Sequence, residues 1–358
     1  MVSKKQQDKL EIENQTVHFK SAENMEELDD ESIDVIITSP PYNRGKTYSS
    51  DLNEEYNDNL EESKYLDFLT RVWKECYRVA KNTAIFFLNI GDSSSDQGKS
   101  EMVALSAENA SWIRIQDIVW IKSFLGKGHY TPSGGNKRLN NLWEHVYVFV
   151  KNKKDYILDP TAIGIPYADK SNIGRYSDTD LRDAGNVWLI NYEKTTGATI
   201  KKGHDAPFPI GLPYKCIKLV PNAKRILDPF GGTCTTLAAS LHLGLFGIAY
   251  EKYPRIKVIK ERILEGKLFK EQDFNLLPHL ELSIKLLTEI LSNSSFSLSK
   301  STNKKELSNL QIVFDVLQKL NIDNDFTKKL ENKFCKDQEN RNYLEEKQNK
   351  LKQKTLFK

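Results

Sequence analysis

The chain has 358 residues, of which 39% are hydrophobic, so it can bury the core of one large α/β domain and carry a further segment. Its 52 Lys and Arg residues against 49 Asp and Glu residues leave a formal charge of +3, which permits nucleic-acid binding without requiring it. The four cysteines and six histidines are scattered, so we expect no metal site and no disulfide framework. We expect a cytoplasmic protein without signal peptide or membrane span, because no apolar stretch is long enough.

Between about Thr16 and Ile263, short β-branched and aromatic runs alternate with amphipathic stretches. This alternation is typical of an α/β fold, in which βαβ units build a mostly parallel sheet with helices on both faces. Apolar residues spaced by three and four predict helices at Tyr65–Tyr77 and Leu237–Leu245. The predicted strands are Val35–Thr38, Thr83–Leu88, Ile115–Ile121, Val146–Val150, Arg225–Leu227 and Gly247–Tyr250.

Two polar, weakly periodic stretches, Ser123–Asn141 and Lys151–Gly203, are predicted to be long loops inserted into the sheet domain. Long loops in compact domains usually carry function. We therefore expect one large domain over residues 1–265, with a functional loop region inserted at about residues 123–203.

The composition changes after Gly266, and residues 266–358 are predicted to form a helical C-terminal extension. Amphipathic helices are predicted at Leu276–Leu291 and Leu307–Leu320, followed by a highly charged tail from Phe326 to Lys358. The simplest interpretation is a solvated helical appendage. Dimerisation and DNA contact are two competing interpretations of this segment.

A glycine-rich turn between Arg225 and Ala239 follows a strand and opens a helix, which is the arrangement of a cofactor-binding turn. Asp228 ends the strand and is placed to hold a ligand amino group. An acidic residue about twenty positions further on commonly binds the ribose hydroxyls of an adenosine cofactor. The turn is not a phosphate-binding Walker loop, because the Lys-Ser/Thr pair is missing. The candidate cofactor-binding residues here are Asp228, Phe230, Gly231, Gly232, Thr233 and Glu251.

A second turn, Ser39-Pro40-Pro41-Tyr42, directly follows the strand that ends at Thr38. Two consecutive prolines fix an extended backbone whose carbonyls point at whatever lies above the sheet. Hydrogen bonds to the Ser39 side chain and the Pro40 carbonyl can draw a base amino nitrogen toward tetrahedral geometry, so that its lone pair attacks a methyl group held in line. Such a base must be flipped out of its duplex and stacked, here on Tyr42. By itself, this pattern also fits a rigid structural turn.

Both turns together resemble the β-class DNA amino-methyltransferases of restriction–modification systems, in which the Pro-Pro turn precedes the recognition region and the cofactor turn comes last. The resemblance runs from about Val17 to Arg262. Asn141–Lys151 is similar to the family strand before the recognition region, and Gly203–Pro213 to the segment that covers the methionine end of the cofactor.

The resemblance implies a Rossmann-like methyltransferase fold, S-adenosylmethionine as cofactor and no metal. It implies that residues 1–265 form the catalytic domain and that the inserted region at about residues 123–203 is the target-recognition region. It implies that Ser39, Pro40, Pro41 and Tyr42 are catalytic, and that the cofactor pocket is also lined by Pro207, Phe208 and Pro209. The implied partners are double-stranded DNA, a cognate restriction endonuclease that acts independently, and a second copy in a homodimer.

The sequence departs from the family pattern at three places. Cys234 stands where a glycine is usual in the cofactor turn, and Asp205 replaces a common proline. Lys20-Ser21-Ala22 takes the place of Gly-Asp-Ala, so an expected acidic contact is absent.

Within the family, Ser-Pro-Pro-Tyr favours N4 of cytosine, although Asn43 after the turn also occurs in N6-adenine enzymes. Methylation at cytosine C5 is not expected, since it needs a Cys nucleophile after Pro and no Pro-Cys occurs. Two different functions also fit the pattern: an RNA or protein-amide methyltransferase, and a non-catalytic nucleic-acid-binding relative.

The region from Lys151 to Gly203 favours DNA, because basic residues that suit phosphate contact are interleaved with aromatic residues that suit base stacking. These residues are Lys170, Arg175, Arg182, Lys194, Lys201 and Lys202, with Tyr167, Tyr176, Trp188 and Tyr192.

Overall fold

The computed structural model describes residues 8–43, 59–92, 96–122, 141–167, 169–190 and 208–270. The helices predicted between Leu276 and Lys358, and most of the predicted loop Ser123–Asn141, lie outside the described residues. The described residues of 8–167 and 172–270 belong to one compact unit.

In the described residues, one mixed sheet has the order β1-β2-β9-β8-β3-β4-β6-β5-β7. β2, β9, β8, β3 and β4 run parallel, while β1 and β6 are antiparallel to their neighbours. The strands are β1 (Lys9–Ile12), β2 (Gln15–His18), β3 (Ile33–Thr38), β4 (Ala80–Ile90), β5 (Ile113–Ile121), β6 (Trp143–Val150), β7 (Val187–Leu189), β8 (Arg225–Asp228) and β9 (Phe246–Tyr250).

The described helices cover both faces of this sheet. They are α1 (Glu62–Val79), α2 (Lys99–Glu108), α3 (Gly211–Lys218), α4 (Thr235–His242) and α5 (Ile256–Glu265). Successive residues of β9 pack on opposite faces, since Ile248 and Tyr250 join one buried cluster and Ala249 joins the other. The first cluster includes the buried side of α1, and the second includes α4 and α5. None of the described helices is long and apolar enough to cross a membrane.

All six predicted strands and both helices predicted before residue 266 are confirmed. The apolar spacing of α1 corresponds to its buried side, which includes Tyr65, Leu69, Val72, Trp73, Cys76 and Val79. The interpretation of Lys151–Gly203 as loop is wrong at one place, because Val187–Leu189 pairs with β5 and extends the sheet. The other described residues of that region form bends, turns, short 3-10 helices and isolated bridges.

The strand order places a switch point between β3 and β8. From β3 the chain passes through α1 to β4 on one side, and from β8 it passes through α4 to β9 on the other. In open α/β sheets, ligands bind in the crevice beyond the carboxyl ends of the strands at such a point. Both predicted site turns begin there, one after Thr38 and the other after Asp228.

Candidate active site

The two site turns are joined by a buried hydrogen bond between adjacent strands. Thr38 Oγ1, at the end of β3, donates to Asp228 Oδ1, at the end of β8, over 2.7 Å. Both side chains are almost fully buried. The bond therefore fixes the start of the Ser39 turn relative to the start of the glycine-rich turn.

Asp228 is directed into the protein. Its side chain is 1% exposed, and its oxygens accept further hydrogen bonds from the Phe230 backbone N–H at 3.1 Å and from Thr236 Oγ1 at 2.6 Å. Burial raises the pKa of Asp228 to about 6, although these three donors favour the charged form. These contacts hold the turn in shape. That Asp228 itself holds a ligand amino group stays a prediction.

The glycine-rich turn packs closely on the next strand. The Gly231 N–H donates to the Tyr250 carbonyl at 2.8 Å, and a Cβ added to Gly231 would lie 3.0 Å from the Ala249 Cβ. Gly232 and Cys234 both have positive φ, +55° and +66°. The usual glycine at position 234 therefore has a backbone reason, since a left-handed conformation costs other residues about 1–2 kcal/mol. Cys234 adopts it with a fully buried side chain.

Glu251 lies beside this turn, immediately after β9. Its Oε1 accepts the Tyr253 N–H at 2.9 Å. Burial raises the pKa of Glu251. The positive charge of Arg255 and the backbone N–H groups of Tyr253 and Gly232 oppose that rise, and the negative charge of Asp228 adds to it. A carboxylate in such a place gains from hydroxyl donors, and the two hydroxyls of a ribose are donors of this kind.

The segment expected to cover the cofactor is described only in part. Pro207 lies outside the described residues, while Phe208 is half-buried and Pro209 is buried. The Phe208 carbonyl accepts a hydrogen bond from Arg262 at 3.3 Å, and the same guanidinium donates to Thr235 Oγ1 at 3.0 Å. Arg262 therefore ties this segment to the first turn of α4.

These residues fit an adenosyl cofactor. Gly231 lets the turn pack on β9 and Gly232 leaves space above the backbone. Glu251 supplies a carboxylate acceptor, and Phe208 with Pro209 supplies apolar surface. Thr233 is buried within the turn. The half-buried Phe230 packs edge-on against Trp73, with ring centroids 5.7 Å apart.

The Ser39 turn is held from the side of α1. The Tyr65 hydroxyl donates to the Pro41 carbonyl over 2.7 Å, so that carbonyl already has a protein donor. The Asn43 side chain donates to the Leu60 carbonyl at 2.9 Å and accepts the Leu60 N–H at 2.7 Å. Asn43 itself has a φ of +54°. Pro40 is buried and directly precedes Pro41, so its carbonyl is the next one along the backbone from the carbonyl that Tyr65 binds.

The hydroxyls of the turn lead to a carboxylate on β6. Ser39 Oγ donates to the Tyr42 hydroxyl at 3.3 Å, and the Tyr42 hydroxyl donates to Glu144 Oε2 at 3.3 Å. The Tyr42 ring is half-buried against the core cluster of α1. Ser39, Pro40, Pro41 and Tyr42 thus lie at the same sheet edge as the glycine-rich turn.

Sequence reasoning missed Thr38, Thr236, Tyr65, Glu144 and Arg262. Glu144 falls in the segment that resembles the family, but its contact with Tyr42 joins positions 102 apart. Tyr65 belongs to the apolar side of a predicted helix, and nothing in that spacing indicates a hydroxyl bond to Pro41.

Comparisons with known proteins agree with this geometry. A model of a family described as DNA methylase matches residues 33–261. The type II methyltransferase M.MjaI of Methanocaldococcus jannaschii is 27% identical over 300 residues, which cover 73% of this chain and 95% of that protein. M.HpaI of Haemophilus parainfluenzae is 28% identical over 261 residues, covering 72% of this chain and 73% of that protein. PvuII DNA methyltransferase, which is cytosine-N4-specific, shares the fold with a TM-score of 0.51 at 18% identity, covering 85% of this chain and 93% of that chain.

Replacing Asp228 by Asn tests the buried carboxyl. The folded protein holds this proton more tightly than the unfolded chain does, so its contribution to stability is present below about pH 4 and is lost as the pH rises through about 6. Asp228→Asn keeps the shape of the side chain but cannot ionise. It therefore removes this pH-dependent part of the free energy of unfolding, which is at most about 3 kcal/mol. Urea unfolding between about pH 4.5 and 7.5, a window that spans this pKa, measures it.

Asp228→Ala is the matched control. It leaves Thr38, Thr236 and the Phe230 N–H without their acceptor, so we expect a stability loss of about 1–3 kcal/mol or more at every pH. An Asn variant whose stability changes with pH as much as that of the wild type would contradict the assignment to Asp228.

Proposed function

Since the chain belongs to the DNA methylase family and is an S-adenosylmethionine-dependent DNA amino-methyltransferase, we propose that it methylates N4 of cytosine in double-stranded DNA. The observation that carries this proposal is the Ser39 turn, in which a neutral hydroxyl, not a carboxylate, faces the carboxyl edge of the sheet beside the glycine-rich turn. The curated relatives M.MjaI and M.HpaI are named as type II methyltransferases without a stated base.

The reaction needs two acceptors for the amino group of the base. Its nitrogen is a poor nucleophile, because the lone pair is delocalised into the ring. Ser39 Oγ and the Pro40 carbonyl accept hydrogen bonds from its two N–H groups and draw the nitrogen toward tetrahedral geometry. As the N–C bond forms, the C–S bond of the donor would break to leave a neutral thioether, and the surplus N–H proton would pass to solvent. The Pro41 carbonyl is already bound by Tyr65, which leaves the Pro40 carbonyl as the neighbouring backbone acceptor.

The methyl donor occupies the glycine-rich side of the crevice. When bound, S-adenosylmethionine supplies a methyl group on a positively charged sulfur. Glu251 would hold the ribose, and Gly232, in the turn that Gly231 packs on β9, would admit the donor close to the backbone. Phe208 and Pro209 would exclude water. Holding donor and acceptor in line contributes a large part of the rate.

Tyr42 receives the flipped base. A base within a duplex cannot reach a site at the sheet edge, so the target nucleotide leaves the stack. The Tyr42 ring is supported by the core on one side and by Glu144 at its hydroxyl, which fixes the plane on which a base stacks. Base stacking on an aromatic side chain contributes about 1–3 kcal/mol.

N6 of adenine is the second candidate. Asn43, which also occurs in adenine enzymes, is its sequence basis. In the structure the Asn43 amide donates to the Leu60 carbonyl and accepts from the Leu60 N–H. These contacts support the shape of the turn and favour neither base.

We further propose that the region between Lys151 and Gly203 contacts DNA in the cytoplasm. Among its described residues, Tyr176 is 70% exposed, and the Arg175 guanidinium lies 5.2 Å from the centre of its ring. An exposed aromatic ring beside a cation suits contact with bases and phosphates. A cognate restriction endonuclease acting separately and a second copy in a homodimer are the protein partners that we propose.

The product identifies the target base. Purified protein is incubated with S-adenosylmethionine and unmethylated duplex DNA, and the DNA is digested to nucleosides for mass spectrometry. We expect N4-methylcytosine. N6-methyladenine would overturn the choice of base, and no methylated nucleoside despite cofactor binding would favour an RNA or protein substrate.

The DNA-contact proposal is tested with Arg175→Ala. Losing one phosphate contact should weaken DNA binding and lower the slope of log affinity against log salt by about 1, with unchanged affinity for S-adenosylmethionine. Lys153→Ala is the control, because Lys153 is exposed and follows β6 at the opposite end from the site. Equal salt dependence in both variants would argue against a contact by Arg175.

A further inference from the structure

We propose that Glu144 is a positioning residue for methyl transfer, which sets the direction of the hydrogen bonds from Ser39 through Tyr42 and thereby leaves the lone pairs of Ser39 to the base. This inference rests on the proposed function, in which Ser39 accepts an N–H of the target amino group. It concerns a residue of β6, outside both site turns.

Glu144 reaches the site because β6 is antiparallel to β4. Ile90 pairs with His145, so Glu144 lies at the edge where the Ser39 turn begins. Its side chain is 14% exposed. Besides Tyr42, it accepts hydrogen bonds from Asn89 Nδ2 at 3.1 Å, to Oε2, and from Lys122 Nζ at 2.8 Å, to Oε1.

The direction of this chain of hydrogen bonds follows from what each group can donate. A carboxylate only accepts, whereas a hydroxyl has one proton and two lone pairs. The Tyr42 hydroxyl must therefore donate its hydrogen bond to Glu144, which leaves the Tyr42 oxygen as an acceptor for Ser39. The Ser39 hydroxyl then donates its one hydrogen bond to Tyr42 and keeps its lone pairs for the amino group of the base.

If the hydrogen bonds ran the other way, from Tyr42 to Ser39, the Ser39 hydroxyl would hinder methyl transfer. A Ser39 hydroxyl that accepts a hydrogen bond from Tyr42 has one lone pair fewer for the base and can turn its own O–H toward the amino nitrogen. That contact would occupy the nitrogen lone pair that attacks the methyl group. The two 3.3 Å distances leave room for shortening when the base enters, as catalytic hydrogen bonds commonly do.

The surroundings of Glu144 make a glutamine substitution informative. Lys122 only donates, so in Glu144→Gln the oxygen of the introduced amide is held toward Lys122 and its NH₂ group points at Tyr42. Asn89 cannot compensate by turning over, because its Nδ2 also donates to the His145 carbonyl at 3.1 Å. Glu144→Gln therefore keeps shape and volume but reverses the chain of hydrogen bonds.

Gly91 provides the space for this carboxylate. A Cβ added to Gly91 would lie 2.5 Å from Glu144 Cγ, so Gly91→Ala displaces the side chain while its charge is kept. This variant gives a second, independent way to break the contact with Tyr42.

The test measures single-turnover methyl transfer at saturating S-adenosylmethionine and unmethylated duplex DNA. We expect Glu144→Gln, Tyr42→Phe and Gly91→Ala each to lower the rate constant about tenfold or more, the effect of a hydrogen bond lost in the transition state. Dissociation constants for cofactor and DNA should stay within about twofold of the wild-type values, since a positioning residue acts on the transition state. The double variant Glu144→Gln/Tyr42→Phe should be no slower than its slower parent, because Glu144 acts through Tyr42.

The control variant is Glu108→Gln, which removes a carboxylate paired with Arg114 away from the Ser39 turn and should transfer at the wild-type rate. A normal rate in Glu144→Gln, or additive losses in the double variant, would overturn the positioning role. Wild-type protein that methylates no DNA would instead refute the proposed function, so the two failures are distinguishable.

Discussion

The site depends on one buried interaction, the hydrogen bond from Thr38 to Asp228. These residues are 190 positions apart in the chain, yet they end adjacent parallel strands. The turn proposed to receive the base begins one residue after Thr38, and the turn proposed to receive the methyl donor begins one residue after Asp228. A single carboxylate thus links the starts of the two turns.

This arrangement buries a charge. Removing a carboxylate from water is unfavourable unless hydrogen-bond donors replace the water. Thr38, Thr236 and the Phe230 N–H are the replacements, and each comes from an element that the site needs: β3, α4 and the glycine-rich turn. The carboxylate therefore organises the crevice from a buried position.

In the proposed reaction, backbone carbonyls and hydroxyl groups contact the base. Hydrogen bonds from neighbouring side chains determine which of these groups can still accept a hydrogen bond from the base. Tyr65 takes the Pro41 carbonyl, Asn43 holds Leu60, and Glu144 directs the hydroxyls of Tyr42 and Ser39. In the Ser39 turn, the Pro41 carbonyl already has a donor, while the Pro40 carbonyl and the Ser39 lone pairs are the acceptors proposed to bind the base.

Continuous apolar strands, the side of α1 that is buried and the two site turns were predictable from the sequence, because each is a local pattern. Strands β1, β2 and β7 were not, since runs of only three or four residues carry little periodic signal. Helix α2 was not predicted either, because polar residues share its buried side and the sequence shows no continuous apolar stripe. Glu144 and Arg262 act through contacts between distant segments, and no spacing along the chain reveals such contacts. The inward direction of Asp228 also depends on Thr38 and Thr236.

The most direct test of the link between the two turns replaces Thr38 by Val, which keeps the branched side chain and removes the hydroxyl. Affinity for S-adenosylmethionine, from calorimetry, and the single-turnover transfer rate are measured on the same preparation. The control is Thr70→Val, at a partly buried position of α1 whose hydroxyl bonds only to the Leu66 carbonyl of its own helix among the hydrogen bonds described. If one bond holds both turns, Thr38→Val weakens cofactor binding and slows transfer together, while Thr70→Val changes neither. Unchanged cofactor affinity and rate in a folded Thr38→Val protein would contradict it.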